Sequence, residues 1–341
     1  MKIQYVGWLS TDNLGDIALY QAIKRLFQPY SVDASIPDPD AVMIGGGTLL
    51  FRSTFLEDVR RAVEASQHSF TFGTGVAHPD FVEVFRPDSW KSALDRCFYV
   101  GVRGPDSLQL LRDHGFSGPV EVIGDPALLL RQESAKAQNS GRRSVAINIC
   151  NPRRARSWGF DNERVRISVV QAATQLIQSG CLLTFISLDS RSDRYIQSAV
   201  SEICSPDRIA FVAGYKSLEH TLDTLASAHL VIGEKLHATV LAAAAGTPFV
   251  SLAYQPKCSD FARSLGMEEL LIPLGRVTAA DILARIEYVE EHRAEIIDRM
   301  LANVSFYREK LHGAASTVKG YLEEVRSSAE RVLRASAREH E

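Results

Sequence analysis

The chain has 341 residues, 45% of them hydrophobic and 23% charged, with a formal net charge of -3 at pH 7. That length exceeds one typical core and fits two domains of roughly 150 residues each. The composition excludes a disordered or fibrous chain, and the slight negative charge gives no electrostatic reason to expect a nucleic-acid partner.

The elements follow in chain order. Residues 2–6 read as a strand, and residues 16–27 carry helical spacing at Ile17, Tyr20, Ile23 and Phe27. A second apolar run, 41–44, stops at Gly45-Gly46-Gly47, and a third, 69–72, ends at Gly73. Residues 98–102 precede Arg103 and a helix over 105–114, and 120–123 ends at Gly124-Asp125-Pro126. Short apolar runs that end in glycine suit buried parallel strands. The polar, aperiodic stretch 131–143 reads as an interdomain connection, which puts a first domain at 1–132, a linker at 133–143 and a second domain at 144–278. The second domain repeats the alternation. Its strands are expected over 144–149, 182–188, 209–212, 229–232 and 248–253. Its helices are expected over 165–178, 195–203 and 218–227, with an alanine-rich one over 236–245 that Gly246 should stop. Residues 279–338 are mostly helical, with one apolar face through Ile282, Ile286, Val289, Ile296, Met300 and Val304, and the last dozen residues of the chain are expected to fray. The predicted fold class is α/β: two Rossmann-like, doubly wound domains facing across a cleft, followed by C-terminal helices over 279–341.

Cys97, Cys150, Cys181, Cys204 and Cys258 are widely spread with no CxxC pair, so no zinc site is expected and free thiols in a reducing compartment are. Residues 1–6 are too short and polar for a secretory signal, and no apolar run reaches the ~18 residues needed to cross a membrane. The expected location is the cytoplasm, its boundary with the inner membrane face included.

Ligands of open α/β sheets sit beyond the carboxyl ends of the strands, so candidate residues are sought there. After the first strand come Asn13, Gly15 and Asp16: Gly15 permits a tight turn, Asp16 can cap the next helix, and free N–H groups there can bind a hydroxyl or an anion. A plain strand-to-helix turn explains the same residues. Gly46 and Gly47 allow close backbone approach to a ligand or simply a tight turn. The pattern is neither GxGxxG nor a P-loop, which disfavours NAD. Arg103 can fork onto a carboxylate or phosphate. His237 falls in the first turn of a helix and Lys257 just past the next strand, so adjacent parallel strands would bring them together. His78 also follows a strand and can face the cleft. Arg153, Arg154 and Arg156 can meet an anionic acceptor or form a solvated loop. No metal cluster or cofactor motif is visible.

These pieces, in order, resemble the polysaccharide pyruvyl transferase family. They are NLGD at Asn13 to Asp16, Gly45-Gly46-Gly47, the glycines at Gly73 and Gly75, VRGPDS from Val102, GDPA from Gly124, KLHATVLAAAAGTP from Lys235, and Tyr254-Gln255-Pro256-Lys257. The resemblance covers roughly residues 5–260 and implies a GT-B-like pair of domains working without a cofactor. It implies transfer of a pyruvyl group from phosphoenolpyruvate to hydroxyls of a sugar, in a polysaccharide or a lipid-linked or nucleotide-linked precursor, making a ketal. It carries catalytic roles to Arg103, His237 (the general acid) and Lys257. The expected substrate-binding set around them is Asn13, Gly15, Asp16, Gly46, Gly47, His78, Lys235 and Leu236. Two positions depart from the family: Lys235 stands where arginine is usual, and Gly104 follows Arg103 where aspartate is common. Lysine keeps the charge and loses the bidentate fork. A GT-B glycosyltransferase using a nucleotide sugar, and a catalytically silent sugar-binding protein, remain alternative readings, and a homo-oligomer is compatible with each.

Overall fold

The structure is a computed structural model and describes residues 1–9, 12–66, 68–130, 143–152, 155–203 and 205–338. Strands β1 (Lys2–Val6), β2 (Ser31–Asp33), β3 (Ala41–Gly45), β4 (Thr48–Leu50), β5 (Ser69–Val76), β6 (Cys97–Val102) and β7 (Glu121–Val122) build the first sheet. Its order is β2-β1-β3-β5-β6-β7, with β4 beside β5. Helices α1 (Leu14–Leu26), α2 (Leu56–Ala65), α3 (Pro87–Leu94) and α4 (Pro105–Asp113) connect these strands. The second sheet contains β8 (Ser144–Asn148), β9 (Leu182–Ser187), β10 (Ile209–Ala213), β11 (Leu230–Gly233), β12 (Phe249–Ala253) and β13 (Leu271–Pro273), in the order β10-β9-β8-β11-β12-β13. Its helices are α5 (Asn162–Gln178), α6 (Asp193–Ser201), α7 (Leu218–Ser227), α8 (Leu236–Ala244) and α9 (Pro256–Ser264), followed by α10 (Ala279–Glu291) and α11 (Arg293–Arg338).

Every pairing between these strands is parallel. Strands of a parallel sheet covered by helices are buried on both faces, and all five residues of β3 are buried. This is the predicted two-sheet α/β class. Two local readings need correction. Helix α1 begins at Leu14, capped by Asn13 rather than Asp16. Asn13 Oδ1 accepts from the Gly15 N–H at 3.3 Å, and Asn13 Nδ2 donates to Asp16 Oδ2 at 2.7 Å. The capping side chain is therefore outside the helix, and Asp16 lies in its first turn. Strand β5 does not end at Gly73 but runs to Val76, with all eight residues buried. Gly73 adopts φ +64° inside the strand, and the Pro126 ring occupies the space of its missing Cβ, 2.5 Å away. Helix α8 does stop at Gly246, which takes φ +79°. Most of the expected linker, together with Arg153, Arg154, Cys204 and the last three residues, lies outside the described residues.

Two elements cross between the sheets. Helix α1 follows β1 of the first sheet, yet Leu14, Ala18, Leu19 and Ala22 are buried in the core of the second. The Leu14 N–H donates to the Leu188 carbonyl at 2.9 Å, and Asn13 bridges Asp189. Helix α11 is continuous over 46 residues. Its first turns bury Ile296, Met300 and Val304 in the second core, and its middle buries Leu311, Ala314, Val318 and Leu322 in the core beneath the first sheet. No helix of the described residues is long and apolar enough to cross a membrane.

Candidate functional site

Strands β11 and β12 are neighbours, with Gly233 level with Ser251. The turns leaving them therefore open side by side. The first delivers Lys235 and His237 at the start of α8, and the second delivers Lys257 at the start of α9. Opposite, β6 leads into Arg103 and β1 leads to the α1 N-terminus. These side chains surround one cavity of ≈ 400 Å³ between the two sheets. Arg103, His237 and Lys257 all line it, as do Asn13, Asp16, Gly47, Lys235 and Leu236. Trp8, Thr48, Arg52, Arg191 and Tyr254 complete much of the wall.

The cavity is rich in cations: Arg103 is buried, Arg52, Lys235 and Lys257 are half-buried, and Arg191 is exposed at its edge. Arg103 is 3% exposed, its N–H donates to the Thr74 carbonyl at 2.9 Å, and Nη2 donates to Thr48 Oγ1 at 3.4 Å. Its Nε is buried with no hydrogen-bond partner among the described residues. Gly75 makes room for it, since a Cβ there would lie 2.7 Å from Nη2. Lys257 sits over the Tyr254 ring, 4.8 Å from its centroid. Burial pushes its ammonium down to about 8, and Arg103 and Lys235 push in the same direction. Lys235 is different: its ammonium pairs with the buried Asp189, and its backbone N–H donates to Asn148 Oδ1 at 3.0 Å. Part of its charge is thus spoken for within the second domain.

His237 is held well below the ordinary imidazole range, first by burial and then by Arg103, Lys257 and Lys235. The imidazole packs directly on Gly15, where a Cβ would come within 2.2 Å of Nδ1. Asp16 is raised to about 6 by burial, against the opposing pull of Lys235, Lys257 and the Asn13 hydrogen bond.

Four expected residues are not in the cavity wall, Gly15 among them, which is packed on the His237 ring. Gly46 is absent from the cavity wall and instead gives Leu19 and Tyr5 close approach to the backbone. His78 lines a narrow adjoining hollow that shares Thr48, Arg52, Arg103 and Lys257 with the main cavity. Its Nδ1 accepts from the Asp80 N–H at 3.4 Å and caps a short 3-10 turn. Arg156 is exposed at the start of the short 3-10 turn Arg156–Trp158. Several contributors escaped sequence reasoning: Trp8, Thr48, Arg52, Asp125 and Asp189. Asp125 carried a signal, because it directly follows a strand within the quoted GDPA run. A second hollow of ≈ 540 Å³ adjoins the cavity along Arg52, Arg191, Lys235, Tyr254 and Lys257, and adds Trp158 and Asn151. The rings of Trp158 and Tyr254 lie 6.0 Å apart.

A family model described as polysaccharide pyruvyl transferase matches residues 13–256, well over half of the chain. The chain belongs to the polysaccharide pyruvyl transferase family. Comparison with curated protein sequences gives no significant match. Among solved structures, this pyruvyl transferase family member is similar to a Listeria monocytogenes protein assigned as a UDP-N-acetylglucosamine 2-epimerase. The identity is 12% and the TM-score 0.61, with 97% of each chain covered. It is similar to S. aureus MnaA in complex with UDP, at 10% identity and TM-score 0.60, with 89% of this chain and 91% of that one covered. A third is Anabaena HepE in complex with UDP-glucose, at 11% identity and TM-score 0.58, with 96% and 100% covered. At such identities the likeness shows the shared GT-B-like fold alone.

Proposed function

We propose that this pyruvyl transferase family member moves a pyruvyl group from phosphoenolpyruvate to two hydroxyls of a sugar, forming a ketal and releasing phosphate. The observation that supports this most directly is the convergence of Arg103, Lys257 and His237 on one cavity between the sheets. Phosphoenolpyruvate carries a carboxylate and a phosphate, and binding it there requires several fixed donors. Arg103 offers a fork, Lys257 a point charge, and α8 and α9 aim their N-terminal N–H groups from the same side. The reaction begins with a proton delivered to the methylene carbon, which becomes a methyl group and leaves an oxocarbenium-like centre at the neighbouring carbon. One sugar hydroxyl adds there and loses its proton. A second hydroxyl then displaces phosphate, which departs with the remaining proton. His237 is the proton donor. Its surroundings keep it neutral in the empty cavity. A bound dianion about 4 Å away would favour the protonated ring by up to ~4 kcal/mol at an effective dielectric near 20. Donor binding therefore loads the acid. The adjoining hollow, with Trp158 and Tyr254 on its wall, suits the flat face of an acceptor sugar.

The test is phosphate release from phosphoenolpyruvate across a panel of sugar acceptors. Wild-type protein is expected to release phosphate only with a suitable acceptor, and His237→Ala to lose turnover while still binding donor in calorimetry. Retained turnover in that variant removes the acid role. The UDP and UDP-glucose held by the structural neighbours make nucleotide-sugar transfer the competing reading. Stabilisation in a thermal shift by UDP, and not by phosphoenolpyruvate, would favour it.

A further inference from the structure

Behind His237, away from the cavity, stands Asp125. It follows β7 of the first sheet and caps the 3-10 turn Pro126–Leu129, its Oδ1 accepting from the Ala127 N–H at 2.9 Å. Its other oxygen takes no part in that cap. Oδ2 is buried, has no hydrogen-bond partner among the described residues, and lies 3.6 Å from His237 Nε2, which is also buried and without a partner among them. Two unsatisfied polar atoms, carried by different domains, thus face each other with nothing assigned between them. Leaving both orphaned is costly, and one shared proton satisfies both. The gap is longer than an ordinary hydrogen bond, as is common for working pairs before a ligand closes the site.

The surroundings decide which atom holds that proton. Burial raises the Asp125 carboxyl to about 6, against the Arg103 charge and the Ala127 N–H, so at neutral pH it still stands as the carboxylate. A carboxylate accepts and does not donate, so the proton belongs on Nε2. Nε2 is sealed from solvent while His237 lines the cavity, so Nδ1 is the ring nitrogen left to exchange with a ligand. Gly15 sits beside Nδ1, and a Cβ there would come within 2.2 Å, so a side chain at this position would displace or cover that nitrogen.

We propose that Asp125 is a positioning residue that holds His237 as the Nε2–H tautomer, so that proton exchange with a cavity ligand takes place at Nδ1. This deepens the reading of His237 as the proton donor and rests on it for its catalytic consequence, whereas the tautomer itself can be measured without any reaction. The experiment is ¹⁵N-histidine NMR on the ligand-free full chain, with the His237 signals assigned by their disappearance in His237→Gln. Wild type is expected to show a protonated Nε2 and a bare Nδ1. Asp125→Asn keeps an oxygen for the Ala127 cap but turns an amide N–H₂ toward Nε2, which must then accept. The tautomer should reverse with no loss of melting temperature. In the pyruvyl transfer assay the same variant should lose about a hundredfold in kcat with little change in KM for phosphoenolpyruvate. A wild-type spectrum with Nδ1 protonated, or an unchanged tautomer in Asp125→Asn, overturns the proposal. So does full kcat in a variant whose tautomer has reversed. Wild-type protein that transfers no pyruvyl group but shows the expected spectra counts against the function and leaves the pairing intact.

Discussion

Single atoms decide the chemistry of this cavity, and Gly15 is the plainest instance. Gly15→Ala would set a methyl group 2.2 Å from His237 Nδ1, so the imidazole must move. The expected result is a loss of turnover of about a hundredfold. Stability should fall by about 1–3 kcal/mol from overpacking, as a urea melt would read. Lys257 gives a pH signature. Its folded-state pKa of about 8 lies below the ordinary 10.5. Below about 8 both folded and unfolded chains hold the proton and the buried charge is fully penalised. Between about 8 and 10.5 only the unfolded chain holds it, so stability contributed at this site rises with pH across that window. Relative to Lys257→Met, the wild type should therefore gain stability as pH rises past about 8. Its affinity for phosphoenolpyruvate should fall over the same range, while that of the variant stays flat in calorimetry. Asp125 has the opposite sign. Burial raises it from the ordinary 3.8 to about 6, so stability at this site drops as pH climbs through that interval. Thermal melts should show Asp125→Asn gaining on the wild type from pH 4 to 6.

Among the elements, the start of α4 explains why glycine follows Arg103. Gly104 has no side chain to cap the helix, and the acceptor comes from α9 of the other domain. Asp260 Oδ1 accepts from the Asp106 N–H at 2.8 Å, and Oδ2 accepts from Ser107 Oγ at 3.2 Å. Any Cβ at residue 104 would fall 2.2 Å from that carboxylate. An aspartate at 104 is thus replaced, in effect, by one on the facing helix. Helix α9 then performs two tasks, presenting Lys257 to the cavity and clamping the helix that follows Arg103. Asp260→Ala should cost about 1–2 kcal/mol in a denaturant titration, the usual range for a lost cap. Weaker anion binding should accompany it, because Arg103 loses its anchor. Unchanged stability would mean that water replaces the carboxylate as the cap.

For the molecule as a whole, α11 is the strap. At 1.5 Å per residue it extends roughly 70 Å. It enters the second core through Ile296 and Met300 and reaches the first through Leu311 and Leu322. Arg308 Nε donates to the Leu128 carbonyl at 2.8 Å near the crossing, and the Tyr321 ring stacks on Phe98 at 3.9 Å. Leu311 is fully buried, so Leu311→Ala should destabilise the chain by about 2–5 kcal/mol in urea unfolding. A loss near zero would mean that α11 from Leu311 onward is a loosely attached appendage. Together with the start of α1, this helix fixes how far the two sheets stand apart, and hence the width of the cavity.

Strand–helix alternation, the glycines at strand ends and the positions of Arg103, His237 and Lys257 after strands were all readable in the linear order. Period and burial on both faces are local properties, written within a few residues of each other. The three-residue strands β2, β4 and β13 left too short a run to read, and the apolar stripe of α11 has one period whichever core it faces. The partnership of His237 with Asp125 and the cap of α4 by Asp260 lay beyond any reading of spacing. Both join residues far apart in the chain across the space between two sheets, and only the register of β11 against β12 and the docking of one domain on the other bring such side chains within a few ångströms.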